Sequence, residues 1–274
     1  MILNVIFVLL SLIGSALVWL CSQGIHPAWL LLVIPSFYVG ITLLYFAVLF
    51  AVSLLMPKKA PKKTSKVCRF FIWFTLRWLL LVMGIRVKLT GTEMLPDSPC
   101  VLVSNHRSDF DPMTVLAMLN RRKLAYISKE SNFKIPIVGP FIRRAGFVAI
   151  DRGNGIRAVR TLQKAAERMQ SEGVDIGIYP EGTRSKTGKL LRFKTGACYL
   201  AQEANAPIVV MTTQGTEKIS KRFLFSTICV ELNIVEVIDR ETVQSTSQND
   251  LIAHIRETVE KNLPPEATEP QSET

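Results

Sequence analysis

The beginning of this chain carries no charged side chain, since no Lys, Arg, Asp or Glu precedes Lys58. Two apolar runs, residues 1–20 and 28–56, are separated there by a short polar loop. Each run is as long as the roughly 20 residues that an α-helix needs to span a bilayer. The sequence therefore predicts two transmembrane helices within residues 1–56.

A cleaved signal peptide is the alternative for the first apolar run. Signal peptides begin with a basic region, carry an apolar stretch of about 7–15 residues and end at a small-residue cleavage site. The first run has no basic residue, its apolar stretch is longer, and no Ala-x-Ala site follows it. These features favour a retained membrane helix.

A lysine cluster follows the second apolar run, within residues 57–66. Basic residues that flank a membrane span mark its cytoplasmic side, so we expect the remainder of the chain on the cytoplasmic side of the cell membrane. The net charge of +11 suits nucleic acid, anionic lipid or a phosphorylated substrate. Because the charge follows membrane spans and no nucleic-acid-binding signature accompanies it, we expect anionic membrane lipid as a partner and no nucleic acid.

Residues 69–86 form a second kind of apolar segment, rich in aromatic side chains and interrupted by Arg69 and Arg77. This pattern is typical of a helix that lies in the membrane interface. A buried core helix is the alternative. With the lysine cluster directly before it, we interpret residues 57–86 as a basic linker and an interfacial amphipathic helix.

The rest of the chain alternates short β-branched runs with helical patterns, which predicts an α/β domain over residues 87–263 with a mixed, partly parallel sheet flanked by helices. Residues 264–274 are polar and proline-rich and are predicted to be disordered. The predicted strands are residues 86–89, 100–103, 124–127, 147–150, 176–179, 208–212 and 228–237, and the predicted helices are residues 112–119, 155–170, 195–204 and 250–261.

The five cysteines are scattered and include no C-x-x-C pair. This spacing suggests neither a disulfide framework nor a zinc site. Reduced thiols agree with a cytoplasmic domain.

Two polar clusters mark a candidate site. Residues 105–111 read NHRSDFD and follow an apolar run, and residues 179–185 read YPEGTRS and follow another. Ligands of open α/β sheets bind at the carboxyl ends of the strands. An imidazole at His106 and a carboxylate at Asp111 are the residue types that build a general base.

The two clusters resemble motifs of the glycerolipid acyltransferase family, of the 1-acyl-glycerol-3-phosphate acyltransferase type, which read N-H-x-S-x-x-D and [FY]-P-E-G-T-R-S. Both motifs are matched in full, and residues 129–139 and 146–152 are similar to the second block of that family. The resemblance covers about residues 84–213. Residues 206–211 are similar to the fourth motif but lack its second proline.

The resemblance implies transfer of a fatty acyl group from acyl-CoA or acyl carrier protein to the 2-hydroxyl of lysophosphatidate, which gives phosphatidate in phospholipid biosynthesis. It implies no metal and no organic cofactor. The absence of a G-x-S-x-G elbow around Ser108 favours direct attack without an acyl-enzyme. Backbone N–H groups near His106 or in residues 181–183 are expected to stabilise the oxyanion.

Within this reaction, His106 is predicted to take the proton of the acceptor hydroxyl, and Asp111 to fix its tautomer and stabilise the imidazolium. Two alternatives exist for these residues. Asp111 precedes Pro112, the order of a helix cap and a first-turn proline, and His106 with Asp109 are potential metal ligands. Asp109 is otherwise interpreted as a solvated or structural residue.

The acceptor phosphate requires a cation, and an arginine can bind phosphate oxygens bidentately. The predicted substrate-binding residues are Glu181, Gly182, Thr183 and Arg184, supported by Arg152 and Lys129. Glu181 is predicted to orient Arg184 or to bind the glycerol, and Gly182 to let the backbone approach the ligand.

Three other functions are compatible with parts of this pattern. The first is an acyltransferase of the same family that acts on another lysophospholipid or on an aminolipid. The second is a non-catalytic membrane protein that binds lipid or acyl carrier, which would need no base beside a phosphate clamp. The third is a membrane-bound, metal-dependent phosphatase that uses His106 and Asp109.

Overall fold

A computed structural model describes residues 2–22, 27–151, 153–185, 189–220 and 227–264. Helices α1 (Ile2–Cys21) and α2 (Leu30–Leu55) contain the two charge-free apolar runs. Both are long and apolar enough to cross a membrane. In the most apolar 18-residue stretch of each helix, only 22% of the residues of α1 and 11% of those of α2 are buried. The predicted pair of N-terminal apolar helices is confirmed, and their low burial distinguishes them from core helices.

Helix α3 (Lys66–Val82) joins the apolar helices to the rest of the chain. Trp78 donates a hydrogen bond to the Tyr38 hydroxyl of α2 (3.2 Å), and Trp73 donates one to the Ala117 carbonyl on the other side (3.2 Å). Contacts on two sides give α3 a bridging position, while its place at a membrane interface stays a prediction. The predicted C-terminal end of this helix at residue 86 is wrong, since α3 ends at Val82. Gly84 adopts a positive φ of 62°, and Arg86 already lies in the first strand.

Among the described residues, the strands are β1 (Ile85–Thr90), β2 (Val101–Ser104), β3 (Leu124–Lys129), β4 (Val148–Ile150), β5 (Asp175–Ile178), β6 (Ile208–Gln214) and β7 (Ile228–Ile238). These seven strands form one sheet in the order β1-β7-β6-β2-β5-β3-β4. All neighbouring strands are parallel except the antiparallel pair β6 and β7. All seven predicted strands and the mixed α/β fold are confirmed.

Helices cover both faces of the sheet. The remaining helices of the described residues are α4 (Phe110–Met118), α5 (Val138–Ala145), α6 (Gly155–Glu172), α7 (Gly196–Ala204), α8 (Arg240–Ser245) and α9 (Gln248–Lys261). Helices α6, α7 and α9 bury one core with residues such as Met169, Leu200 and Ile255. Helices α3 and α4 cover the other face with residues such as Leu80 and Val115.

Two of these helices were not predicted. Helix α5 has eight residues, including Gly139 and Pro140, and α8 has only six, so neither carries enough turns to show a helical period. The predicted disordered tail beyond Pro264 lies outside the described residues.

Candidate active site

The two polar clusters follow β2 and β5, which are neighbouring parallel strands. Backbone and side-chain hydrogen bonds join the two loops: Ser185 N–H donates to the His106 carbonyl (2.9 Å), and His106 N–H donates to Glu181 Oε1 (2.6 Å). Asn105 anchors the first loop to β6 through two hydrogen bonds with the Thr213 backbone, of 2.9 and 2.8 Å. The clusters therefore form one site at the carboxyl ends of the central strands, as the sequence predicts.

His106 and Asp111 form the centre of this site. His106 Nδ1 lies 2.8 Å from Asp111 Oδ2. The Asp111 side chain is fully buried, whereas 13% of the His106 side chain is exposed. A hydrogen bond from Nδ1 to the carboxylate leaves Nε2 as the acceptor nitrogen of the neutral ring. This is the arrangement that a general base requires.

Further donors hold the Asp111 carboxylate in place. The N–H groups of Arg107 and Ser108 donate to Oδ2 at 2.7 and 2.8 Å, and the Thr216 hydroxyl donates to Oδ1. A buried carboxylate costs free energy unless it is hydrogen-bonded, and here four donors satisfy it. The orientation of His106 is therefore fixed through a well-supported partner.

The helix-cap interpretation of Asp111 is wrong. Helix α4 begins at Phe110, so Asp111 is its second residue, and the cap position belongs to Asp109, whose side chain makes no capping hydrogen bond. The Asp111 carboxylate instead turns back to the loop before the helix, where Arg107 and Ser108 bind it. The catalytic roles of His106 and Asp111 remain predictions that this geometry supports.

Two tyrosine rings stack behind the His106 ring, and no feature of the sequence predicts this contact. The His106 ring stacks on Tyr179 with centroids 4.1 Å apart and planes 12° apart, and Tyr179 stacks on Tyr126 at 5.4 Å. A side chain at Gly177 would clash, because its Cβ would lie 2.2 Å from the Tyr126 ring. Burial raises the pKa of Tyr126 and Tyr179, so both phenols stay neutral beside the imidazole.

Glu181 binds the backbone and not the neighbouring arginine. The carboxylate is 4% exposed and accepts hydrogen bonds from His106 N–H (2.6 Å) and Leu191 N–H (3.2 Å). Among the described residues, Arg184 pairs with Asp109 and not with Glu181. The predicted contact of Glu181 with Arg184 is therefore absent, and Glu181 instead holds the two loops of the site together.

The titration of Glu181 gives a testable stability effect. Burial raises the pKa of its carboxyl, partly opposed by the hydrogen bonds from the backbone. A raised folded-state pKa means that the contribution of Glu181 to stability is full below the unfolded pKa and is lost as the pH rises through the folded pKa. As the pH rises from the unfolded pKa of a glutamate, about 4.3, through the higher folded pKa, we expect the wild-type free energy of unfolding to fall relative to that of Glu181→Gln, which cannot titrate. Denaturant titrations of both proteins measure this difference, and parallel pH curves would contradict it.

Arg184 lies at the exposed rim of the site. Its guanidinium forms an ion pair with Asp109, and the two side chains are 54% and 74% exposed. An exposed pair of this kind contributes only about 0–1 kcal/mol. A phosphate group can therefore replace the Asp109 carboxylate at Arg184 at little cost.

The other predicted binding residues are distributed around this rim. Thr183 is exposed, and Gly182 adopts a positive φ of 69°. A Cβ on Gly182 would lie 3.2 Å from the ammonium of Lys194, so the structure adds Lys194 as a cation beside the second cluster. In the sequence, Lys194 is marked only by its position shortly after the second cluster.

Lys129 ends β3 and is exposed. In the sheet β3 is the second strand from β2, which places Lys129 about 10 Å to the side of the strand that carries His106. Arg152 lies outside the described residues, so its predicted contact with phosphate stays a prediction.

His106 and Asp109, which the sequence also offers as potential metal ligands, contact different partners in the structure. His106 Nδ1 contacts Asp111, and Asp109 pairs with Arg184. Within the described ranges no group of three or more His, Cys, Asp or Glu side chains is arranged to hold a metal ion.

Comparisons with known proteins agree on one family. The Acyltransferase family model matches residues 86–214. The chain is 32% identical over 230 residues to human 1-acyl-sn-glycerol-3-phosphate acyltransferase beta, with 80% of this chain and 82% of that protein covered. It is 38% identical over 136 residues to a chloroplastic 1-acyl-sn-glycerol-3-phosphate acyltransferase of Brassica napus, where 49% of this chain and 39% of that protein are covered.

A solved structure shows the same fold. The crystal structure of the 1-acyl-sn-glycerophosphate acyltransferase of Thermotoga maritima superimposes with a TM-score of 0.61 at 26% identity. The match covers 80% of this chain and 87% of that chain.

Proposed function

Because this chain belongs to the 1-acyl-sn-glycerol-3-phosphate acyltransferase family, whose members are O-acyltransferases, we propose that it transfers a fatty acyl group from acyl-CoA or acyl carrier protein to the 2-hydroxyl of 1-acyl-glycerol-3-phosphate and forms phosphatidate. The observation that carries the proposal is the His106–Asp111 pair beside the half-exposed guanidinium of Arg184. A base and a phosphate-binding cation are the two groups that this acceptor requires.

The reaction follows from the geometry of the base. His106 Nε2 accepts the proton of the 2-hydroxyl while the hydroxyl oxygen attacks the carbonyl carbon of the thioester. The resulting tetrahedral intermediate collapses, the C–S bond breaks, and the imidazolium returns the proton to the leaving thiolate. The buried Asp111 carboxylate stabilises the imidazolium in between.

The oxyanion needs a different donor from the ones nearest His106. The N–H groups of His106, Arg107 and Ser108 already donate to Glu181 or Asp111, and that of Gly182 donates to the Tyr179 carbonyl (3.0 Å). Within the described residues 181–185, this leaves the N–H groups of Glu181, Thr183 and Arg184. We assign the oxyanion to donors among these three.

The proposed function is tested by one assay of purified protein. Lysophosphatidate is compared with other lysophospholipids and with an aminolipid acceptor, each with acyl-CoA and with acyl carrier protein as donors. The proposal requires the highest kcat/KM with lysophosphatidate and no loss of activity in EDTA, because no metal or organic cofactor takes part. Turnover only with another acceptor would establish the alternative acyltransferase, and binding of lipid without turnover would establish a non-catalytic protein.

The role of Arg184 gives a prediction for acceptor binding. Lysine cannot reproduce a bidentate contact with phosphate, so Arg184→Lys should raise the acceptor KM about tenfold, equivalent to one charge-assisted hydrogen bond. The donor KM should change little. Steady-state kinetics with each substrate varied in turn measures both constants. Arg256→Lys on α9 is the matched control, and an effect confined to the donor KM would show that Arg184 does not bind the acceptor.

The membrane topology is a further part of the proposal. We infer that α1 and α2 span the cell membrane and that the catalytic domain lies on its cytoplasmic side, because the lysines of residues 58–66 directly follow the second helix. An amphiphilic acceptor would then reach the site from the bilayer. In sealed inverted membrane vesicles, we expect protease to degrade the catalytic domain of the full-length protein without added detergent. If that domain is protected until the vesicles are opened, it lies on the opposite side of the membrane, and the proposed topology is wrong.

A further inference from the structure

A cavity of about 350 Å³ lies between α3, the end of α4 and the start of β3. Its wall includes the aromatic side chains of Phe70 and Trp73, and 51% of Phe70 is exposed. None of the described lining residues is acidic, and five of them are basic: Lys66, Arg69, Arg121, Arg122 and Lys123. The cavity therefore combines positive charge with an apolar aromatic wall.

Three of the five cations, Lys66, Arg121 and Lys123, keep their charge available, whereas Arg69 interacts electrostatically with Glu172. Arg122 is neutralised by Asp175, which binds its Nε and a terminal nitrogen at 2.6 Å each. Lys123 donates only to a backbone carbonyl, that of Glu172 (2.9 Å). The Glu172 carboxylate is itself engaged by the Thr64 N–H (2.6 Å) and by Arg168 (3.4 Å). The rim is thus positive overall.

This cavity is separate from the acyl-transfer site. Helix α4 carries Asp111 in its first turn and ends at Met118, and a nine-residue helix is about 13 Å long. Leu119 and Leu124, which line the cavity, lie beyond the far end of α4 and at the start of β3. The cavity therefore lies about one helix length from Asp111.

The cavity lies close to the membrane helices in the chain and in space. Helix α2 ends at Leu55 and α3 begins at Lys66. The side of α3 that carries Trp78 packs on Phe7 of α1 and Phe46 of α2, while Phe70 and Trp73 line the cavity. With α1 and α2 in a bilayer, as proposed above, the cavity lies next to the layer in which lipid headgroups are found.

We propose that this cavity binds the headgroup of an anionic membrane phospholipid, with the upper part of an acyl chain against Phe70 and Trp73. Basic side chains near a membrane attract anionic headgroups by about 1 kcal/mol each, and aromatic rings suit the boundary between headgroup and chain. A concave, partly apolar cavity fits a headgroup and chain better than the convex surface of an acidic protein. The inference does not depend on the acyl-transfer reaction.

The test measures the thermal stability of the full-length protein in a neutral detergent with added phosphatidylglycerol or phosphatidylcholine. Phosphatidylglycerol should raise the Tm of the wild type, whereas phosphatidylcholine and inorganic phosphate alone should not. Removing two cations in Arg121→Gln/Lys123→Gln should weaken phosphatidylglycerol binding about thirtyfold. Both side chains are exposed, so this variant should fold normally.

Two further variants make the result specific. Arg160→Gln/Lys164→Gln removes the same charge from exposed positions of α6, on the other face of the sheet, and should bind phosphatidylglycerol like the wild type. Arg184→Gln should also retain this binding, which separates the cavity from the acyl-transfer site. Equal binding by the cavity variant and the wild type, or loss of binding in Arg184→Gln alone, would overturn the proposal. So would protection by an acidic carrier protein but not by phosphatidylglycerol.

Discussion

Replacing His106 with alanine is expected to lower kcat by about a hundredfold or more, the usual contribution of a general base. The imidazole is the group that can accept the proton of the acceptor hydroxyl, and its Nδ1 is already committed to Asp111. The acceptor KM should change little, because the phosphate contacts Arg184 in the proposed complex. Steady-state kinetics with lysophosphatidate measures both constants.

His254→Ala is the matched control for this variant. His254 is 53% exposed and contacts Glu236 on the sheet, so its removal should leave kcat unchanged. The backbone hydrogen bonds of His106, from Ser185 and to Glu181, do not involve the ring and should preserve the fold of the alanine variant. A folded His106→Ala protein with near-normal kcat would refute the base mechanism.

The fold and the location of the site could be predicted because both depend on local patterns. Buried parallel strands appear as short β-branched runs, and the polar residues that follow two such runs meet at one edge of the sheet. The pairing of β2 with β5 brings the two clusters together. His106 and Asp111 could be paired because only five positions separate them in the chain.

The contacts that complete the site could not be predicted, because they join residues far apart in sequence. Arg184 pairs with Asp109, and Glu181 accepts the N–H of His106, across 75 positions in each case. The motif places Glu181 three positions from Arg184, which suggested a contact between them. The fold directs Glu181 inward, where the loop needs an acceptor for two backbone amides.

The stacking of His106 on Tyr179 was missed for a related reason. The tyrosine position in the second cluster carries no charge and no metal-binding group, so the sequence marked it only as part of a motif. Its role depends on the register of β5 between β2 and β3 and on Gly177, which leaves room for the Tyr126 ring. Such packing is a property of the assembled sheet.

Replacing Asp111 with asparagine is the second change with a large expected effect. Three donors converge on Oδ2: the His106 ring, Arg107 N–H and Ser108 N–H. The amide oxygen of asparagine should occupy that position, while its NH2 group faces the hydroxyl of Thr216, which can accept a hydrogen bond. The histidine tautomer is then retained and only the negative charge is lost. A hydrogen bond to a charged group contributes about 1.5–3 kcal/mol, so kcat should fall about ten- to a hundredfold.

Asp97→Asn removes an exposed carboxylate before β2 and is the control for the change in net charge. The Asp111→Asn protein should unfold at nearly the wild-type Tm, because all four hydrogen bonds to residue 111 can still form. The loss should appear in kcat and kcat/KM equally, since the imidazolium exists only after proton transfer has begun. An effect on the acceptor KM alone would mean that Asp111 shapes the binding loop and does not support the base. Unchanged kinetics would remove the carboxylate from the mechanism altogether.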